Sequence, residues 1–213
     1  MNKIYDYLDD LMRCYSKLEV CRQSIIEAYE LLVESYRNDG KLLVAGNGGS
    51  ASDAEHIVGE LMKSFVLPRK MRLEYAENLV SIEPLIGAVL ADKLQGALPA
   101  IALVNHTALS TAFLNDVDPF LGFAQQIYGY GQENDVFLGI TTSGKSKNII
   151  YAAVTAKAKG MKVIALTGKD GGNIKDIADI SIIIPEDETY KIQELHLPVY
   201  HCLCLMLERE FFG

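Results

Sequence analysis

His56 and Glu60 stand four residues apart, so on a helix both side chains leave one face, as a pair of metal ligands or an acid–base pair would. They close the stretch KLLVAGNGGSASDAEHIVGE, Lys41 to Glu60, in which an apolar run passes through a glycine-rich turn into a helical pattern. Glycines in GNGGS allow backbone N–H groups to approach a ligand, and the helix start adds unpaired donors and partial positive charge. Asn47, Gly48, Gly49 and Ser50 are therefore candidates to cradle an anionic substrate.

A second loop, GITTSGKS at residues 139–146, offers Thr141, Thr142, Ser143 and Ser146 around another predicted helix N-terminus. Four hydroxyls in that setting suit a sugar phosphate, with Lys145 adding a charge or pointing into solvent. The same letters satisfy the nucleotide-binding pattern GxxxxGK[ST], between a predicted strand and a predicted helix. A nucleotide enzyme also needs a magnesium-holding carboxylate at another strand end, for which only Glu186 and Asp187 are weak candidates. A first strand–helix unit also precedes this loop, so the phosphate-cradle reading is preferred.

The elements that must position these loops follow from apolar spacing. Ile4, Leu8, Leu11, Ile25, Ala28, Leu31 and Leu32 predict a long N-terminal helix over residues 1–40, broken near Ser16 and stopped at Asn38-Asp39-Gly40. Short apolar runs at Leu42–Ala45, Ala100–Val104, Val136–Ile140, Val163–Leu166 and Ile182–Ile184 alternate with helical patterns. That alternation predicts an α/β fold: one domain over residues 1–213, its core at 41–213, with a central parallel sheet flanked by helices. Such sheets bind ligands beyond the carboxyl ends of their strands, where both loops lie. Asp187–Phe211 reads as one long helix with PEDE as its acidic first turn. Residues 66–98 are hardest to place, although Ser81–Leu98 has helical spacing.

With 213 residues, 49% of them hydrophobic, the chain can bury a substantial core. Its net charge of −8 without a Lys/Arg cluster argues against nucleic-acid or anionic-lipid partners. No apolar run reaches the roughly 18–20 residues of a membrane span, and the acidic opening MNKIYDYLDD is unlike a secretory signal, so a cytoplasmic protein is expected. Cys14, Cys21, Cys202 and Cys204 lack metal or disulfide-framework spacing and are expected to be ordinary thiols. The 11 tyrosines are scattered and read as core or interface residues.

GNGGSASDAEH, TTSGKS, VIALTGKDGG and KIQELHLPVYH, in that order and spacing, resemble the sugar isomerase (SIS) domain proteins, especially those of the phosphoheptose isomerase type. The resemblance runs from about Lys41 to Phe212 and implies a three-layer SIS fold with long terminal helices. It implies that Thr141, Thr142, Ser143 and Ser146 hold the substrate phosphate, and that Asn47, Gly48, Gly49, Asn115 and Asp116 contact the sugar. It also implies one zinc ion per subunit on His56, Glu60, Gln193 and His201, and a homotetramer acting on sedoheptulose 7-phosphate in heptose biosynthesis. Residues 193 and 201 are eight apart, so they can share a helix face.

The chain departs from the family pattern at Thr141, Lys145 and Lys63-Ser64, and in the longer segment up to Pro99. Non-catalytic relatives of the same fold act as sugar-phosphate sensors or as adaptors for a replication initiator. The adaptors lack the helix Glu and His that stand here as Glu60 and His201.

Aldose–ketose isomerisation passes through an enediol or enediolate and needs a base above the carbon and an acid or electrophile at the oxygens. Glu60 is the natural base and His201 the natural acid, unless a bound zinc polarises the oxygens instead. His106 and His196 read as surface or satisfied core residues, and Asp53 and Glu55 as helix N-terminal charges.

Overall fold

A computed structural model describes residues 4–213, so Met1–Lys3 of the predicted N-terminal segment lie outside the described residues. The N-terminal helix breaks where expected. Helix α1 (Tyr5–Cys14) gives way to a 3₁₀ turn at Ser16–Cys21 and then to α2 (Arg22–Arg37). Leu8, Leu11 and Met12 on α1, and Ile25, Ala28, Tyr29 and Leu32 on α2, form the buried stripes.

Five parallel strands follow among the described residues: β1 (Leu42–Ala45), β2 (Ala100–Ala102), β3 (Val136–Thr141), β4 (Lys162–Gly168) and β5 (Ile180–Ile184). The predicted second strand is cut short because residues 103–105 turn into a 3₁₀ helix. Successive side chains go to opposite faces of the sheet, which is why the strands read as continuous apolar runs. Leu42, Val44, Leu138 and Leu166 join α1, α2, α3 (Gly49–Met62) and α9 (Thr189–Phe212) on one face. Leu43, Ala45, Phe137 and Ala165 join α7 (Gly122–Tyr130) and α8 (Lys147–Ala158) on the other.

The strand order is β2-β1-β3-β4-β5. The chain therefore moves outward from β1 to β2 and returns on the far side of β1 with β3. The crevice between the carboxyl ends of β1 and β3 is the topological switch point, where doubly wound sheets bind ligands. GNGGS leaves β1 there and TTSGKS leaves β3 there.

Two sequence expectations need correction. Residues 81–98 do not form one helix: α4 (Leu73–Ile82) and α5 (Pro84–Lys93) make a hairpin. Glu83 is extended, as the residue before proline prefers, and its carboxylate caps Ile86 N–H at the start of α5. PEDE lies ahead of α9 rather than in its first turn, with Glu188 at the N-cap. Helix α6 (Thr107–Asp116) completes the connection from β2 toward α7.

A buried ion pair fixes α3 against α9. The Glu208 carboxylate accepts from the backbone N–H groups of Phe65, Val66 and Leu67 and from Arg69 Nε at 2.8 Å. The Arg69 guanidinium also donates to the carbonyls of Glu60 and Leu61 at the end of α3. Both side chains are fully buried, and every strong donor or acceptor has a partner, as a desolvated pair requires.

Candidate active site

The loop after β1 is shaped by close backbone approach. A Cβ on Gly46 would stand 2.2 Å from the Ser50 carbonyl oxygen, and Gly48 has φ of +57°. Ser50 is buried under the turn. Asn47 and Asn148, at the start of α8, exchange two amide hydrogen bonds of 3.0 and 2.8 Å across the switch point. The first loop is thereby tied to the second.

In the second loop, Thr141 Oγ1 and Ser146 Oγ are 2.9 Å apart, and Ser143 Oγ accepts from Lys145 N–H. Gly144, at φ +65°, packs so tightly on the segment 168–172 that a Cβ would lie 1.9 Å from the Gly171 carbonyl oxygen. Thr141, Thr142, Ser143 and Ser146 thus ring the N-terminus of α8 as expected. Lys145 is exposed. Of the two carboxylates considered for a nucleotide enzyme, Glu186 is engaged by Lys17.

The acid–base cluster lies where α3 runs beside α9. His56 Nε2 is 3.3 Å from Glu60 Oε1 and 3.5 Å from His201 Nε2, although residues 56 and 201 are 145 positions apart in the chain. Phe65 and Tyr200 pack on the His201 ring. Burial and the neighbouring His56 hold His201 below its ordinary pKa, against the opposing pull of Glu60. Glu60 is buried, and its second oxygen meets Lys63 Nζ at 2.9 Å.

A short relay fixes the tautomer of His56. Tyr200 O–H donates to Asp53 Oδ1 at 3.3 Å, so its oxygen is left to accept from His56 Nδ1–H at 3.0 Å. The lone pair of His56 Nε2 then faces Glu60 and His201. Asp53 is therefore more than the helix-end charge expected from sequence. Its half-buried position raises its pKa, while the bond from Tyr200 works the other way. Tyr200 and Asn148 escaped sequence reasoning, and Lys63 entered it only as a departure from the family pattern. Only the adjacency of Tyr200 to His201 hinted at a role.

Acceptor atoms facing one another suit a divalent cation. Among the described residues no three His, Cys, Asp or Glu side chains converge closely enough to form a ready metal cluster. The separations of 3.3 and 3.5 Å nevertheless match the edge of a zinc tetrahedron, ~3.3 Å for ligands about 2.0–2.1 Å from the ion. Small side-chain adjustments bring such donors onto one ion. Two imidazoles and one carboxylate are also an ordinary catalytic zinc set.

Two expected members stand apart. The Gln193 amide lies against Gly49, with Nε2 2.8 Å from where a Cβ would be, so it faces the sugar loop. It sits about 12 Å along α9 from His201. Asn115 and Asp116, exposed at the end of α6, bond to each other at 2.7 Å rather than to either loop. His106 stacks on Tyr130 and bonds its hydroxyl at 2.7 Å, while His196 is buried with Nε2 3.4 Å from the Thr167 carbonyl. Cys14 is exposed and Cys21, Cys202 and Cys204 are buried, all as free thiols.

Residues 6–79 and 85–168 match the SIS domain model. The chain is 41% identical to the phosphoheptose isomerase of Leptospira biflexa over 190 residues, covering 89% of this chain and 85% of that protein. It is 39% identical to the phosphoheptose isomerase of Sulfurimonas denitrificans over 189 residues, covering 89% and 84%. Among solved structures, a phosphoheptose isomerase from Francisella tularensis superimposes with a TM-score of 0.75 at 33% identity, covering 96% of each chain. That of Neisseria gonorrhoeae gives 0.72 at 31% identity, covering 95% of each.

Proposed function

The chain belongs to the SIS domain family, and on that premise we propose that it is a phosphoheptose isomerase that converts sedoheptulose 7-phosphate to D-glycero-D-manno-heptose 7-phosphate. The observation that carries this reading is the cluster of His56, Glu60 and His201 on α3 and α9, below two anion-cradling loops at one switch point. Family membership and 39–41% identity to isomerases over 89% of the chain support the enzyme class.

The substrate phosphate sits on Thr141, Thr142, Ser143 and Ser146 at the start of α8, where N–H groups and the helix dipole favour an anion. Asn47, held by Asn148, and Gln193 beside Gly49 orient the sugar toward α3. Glu60 takes the proton from the hydroxymethyl carbon C1 and returns it to C2, while His201 gives a proton to the carbonyl oxygen and takes one back from the C1 hydroxyl. A neutral imidazole can do this, and burial together with His56 favours that form of His201. His56, Glu60 and His201 would hold one zinc ion, whose Lewis acidity would stabilise charge on the enediolate oxygens, and Glu60 or His201 would have to give up the ion to exchange a proton. The protein acts in the cytoplasm, as a homotetramer, in the supply of heptose for surface polysaccharide.

The test is an NMR time course of zinc-supplemented protein with sedoheptulose 7-phosphate, beside a chelated sample. Aldoheptose signals should grow only with metal. No conversion in either sample would refute the substrate; equal conversion in both would refute the metal.

A further inference from the structure

Helix α5 is apolar around its whole circumference. Residues 84–91, PLIGAVLA, carry no charge, whereas 23% of the chain is charged. A helix of that kind belongs in an interior. Here only one side is covered. Gly87 crosses α4 so closely that a Cβ would meet the Leu79 carbonyl oxygen at 2.2 Å, and Leu90 and Ala91 turn the same way. Both helices pack chiefly on each other and little on the body, to which a bridge between Lys70 and Gln95 joins their neck. Cavities of about 790 and 520 Å³ flank the base of the hairpin. Isolated helices of 10 residues are marginal in water, so a hairpin built this way gains its order from something laid across it.

Across the open side of α5, Leu85, Ile86 and Val89 share a face at spacing i, i+1, i+4, and Ile82 stands exposed at the end of α4; Ile82 and Leu85 are 82% and 80% exposed. That stripe is the seam of a helical bundle with half its helices missing. We propose that the α4–α5 hairpin is a self-association surface: the hairpin of a second copy docks on it about a two-fold axis, closing a four-helix bundle.

Area and charge both favour a second copy. Leu73, Ile82, Leu85, Ile86, Val89 and Leu94 are between 47% and 82% exposed. At roughly 100 Å² of apolar surface per fully exposed aliphatic side chain, they present roughly 400 Å². Since about 57% of an interface is apolar, this corresponds to roughly 700 Å² per partner, close to the ~800 Å² of a standard interface. Two copies of a chain of net charge −8 repel each other over most of their surface, but along 84–91 neither carries charge. An anionic membrane is a poorer occupant, because the basic Lys70, Arg72 and Lys93 lie only at the base of the hairpin and are outnumbered by Glu74, Glu77, Glu83 and Asp92. An isologous contact also needs no surface beyond the stripe itself.

This surface is independent of the sugar-phosphate reading, because the proposal rests on mass and cross-linking rather than turnover. Light scattering after size exclusion should show that Leu85→Glu/Val89→Glu, with circular dichroism confirming its fold, halves the assembly mass at micromolar concentration. As a second, non-disruptive probe, Ile86→Cys and Val89→Cys are made separately in a Cys14→Ser background, removing the exposed native thiol. Mild oxidation should join two copies through at least one of these positions. A monomeric parent chain, an unchanged mass in the double variant, no cross-link at either position, or sedimentation of the parent with anionic vesicles would each overturn the proposal.

Discussion

Tyr200→Phe removes one oxygen and leaves the ring, so it tests the relay without opening a cavity. The oxygen donates to Asp53 at 3.3 Å and accepts from His56 Nδ1–H at 3.0 Å. Without it, His56 is free to carry its proton on Nε2, the atom that must face Glu60 and His201. Asp53, already raised in pKa by burial, also loses its donor. A hydrogen bond to a charged group contributes about 1.5–3 kcal/mol, and a tenfold change corresponds to about 1.4 kcal/mol. The expected loss is therefore about 10- to 100-fold in zinc affinity and in kcat/KM, the range found for partners that orient metal-ligating histidines. Zinc affinity is read by competition with a chromophoric chelator, turnover by coupled assay, and folding by thermal melt. Folded Tyr200→Phe protein with unchanged zinc affinity and kcat/KM within about twofold of the parent would refute the relay.

Two other outcomes follow from the same structure. Burial lowers the pKa of His196 from 6.5 to about 4, so as pH falls the unfolded chain takes the proton first. Stability is then complete above about pH 6.5 and declines toward pH 4, by on the order of 3 kcal/mol. Urea titrations across that window should show a clearly shallower decline for His196→Leu, and parallel slopes would sink the explanation. In the phosphate loop, Gly144→Ala forces a side chain into φ +65° and against the Gly171 carbonyl oxygen, strain on the order of 1–3 kcal/mol. KM for the sugar phosphate should rise about tenfold, corresponding to ~1.4 kcal/mol. A parental KM would show that the loop does not bind the phosphate.

Much of this molecule is written locally. Strands such as β3 announce themselves because both faces are covered, so every residue from Val136 to Thr141 is buried and apolar or small. Once five such runs alternate with helices, the sheet is parallel and its ligand loops must lie at the carboxyl ends, which places GNGGS and TTSGKS without coordinates. Helical period alone puts His56 beside Glu60.

What periodicity cannot state is how far one element lies from another. The 3.5 Å approach of His201 to His56, the Tyr200–Asp53 relay and the Asn47–Asn148 clasp all cross between elements far apart in sequence. The first two depend on how α3 and α9 share one face of the sheet and on the buried Arg69–Glu208 pair that sets one against the other, and the clasp depends on β1 lying beside β3. The same limit explains Gln193, which shares the α3-facing side of α9 with His201 yet meets Gly49 a dozen ångströms away, at about 1.5 Å per residue. It explains the hairpin as well: apolar spacing over 81–98 reads as helical but does not say what that helix packs against. Only the tertiary fold, turning the chain at Pro84 and leaving α5 bare on one side, decided that this apolar surface faces outward.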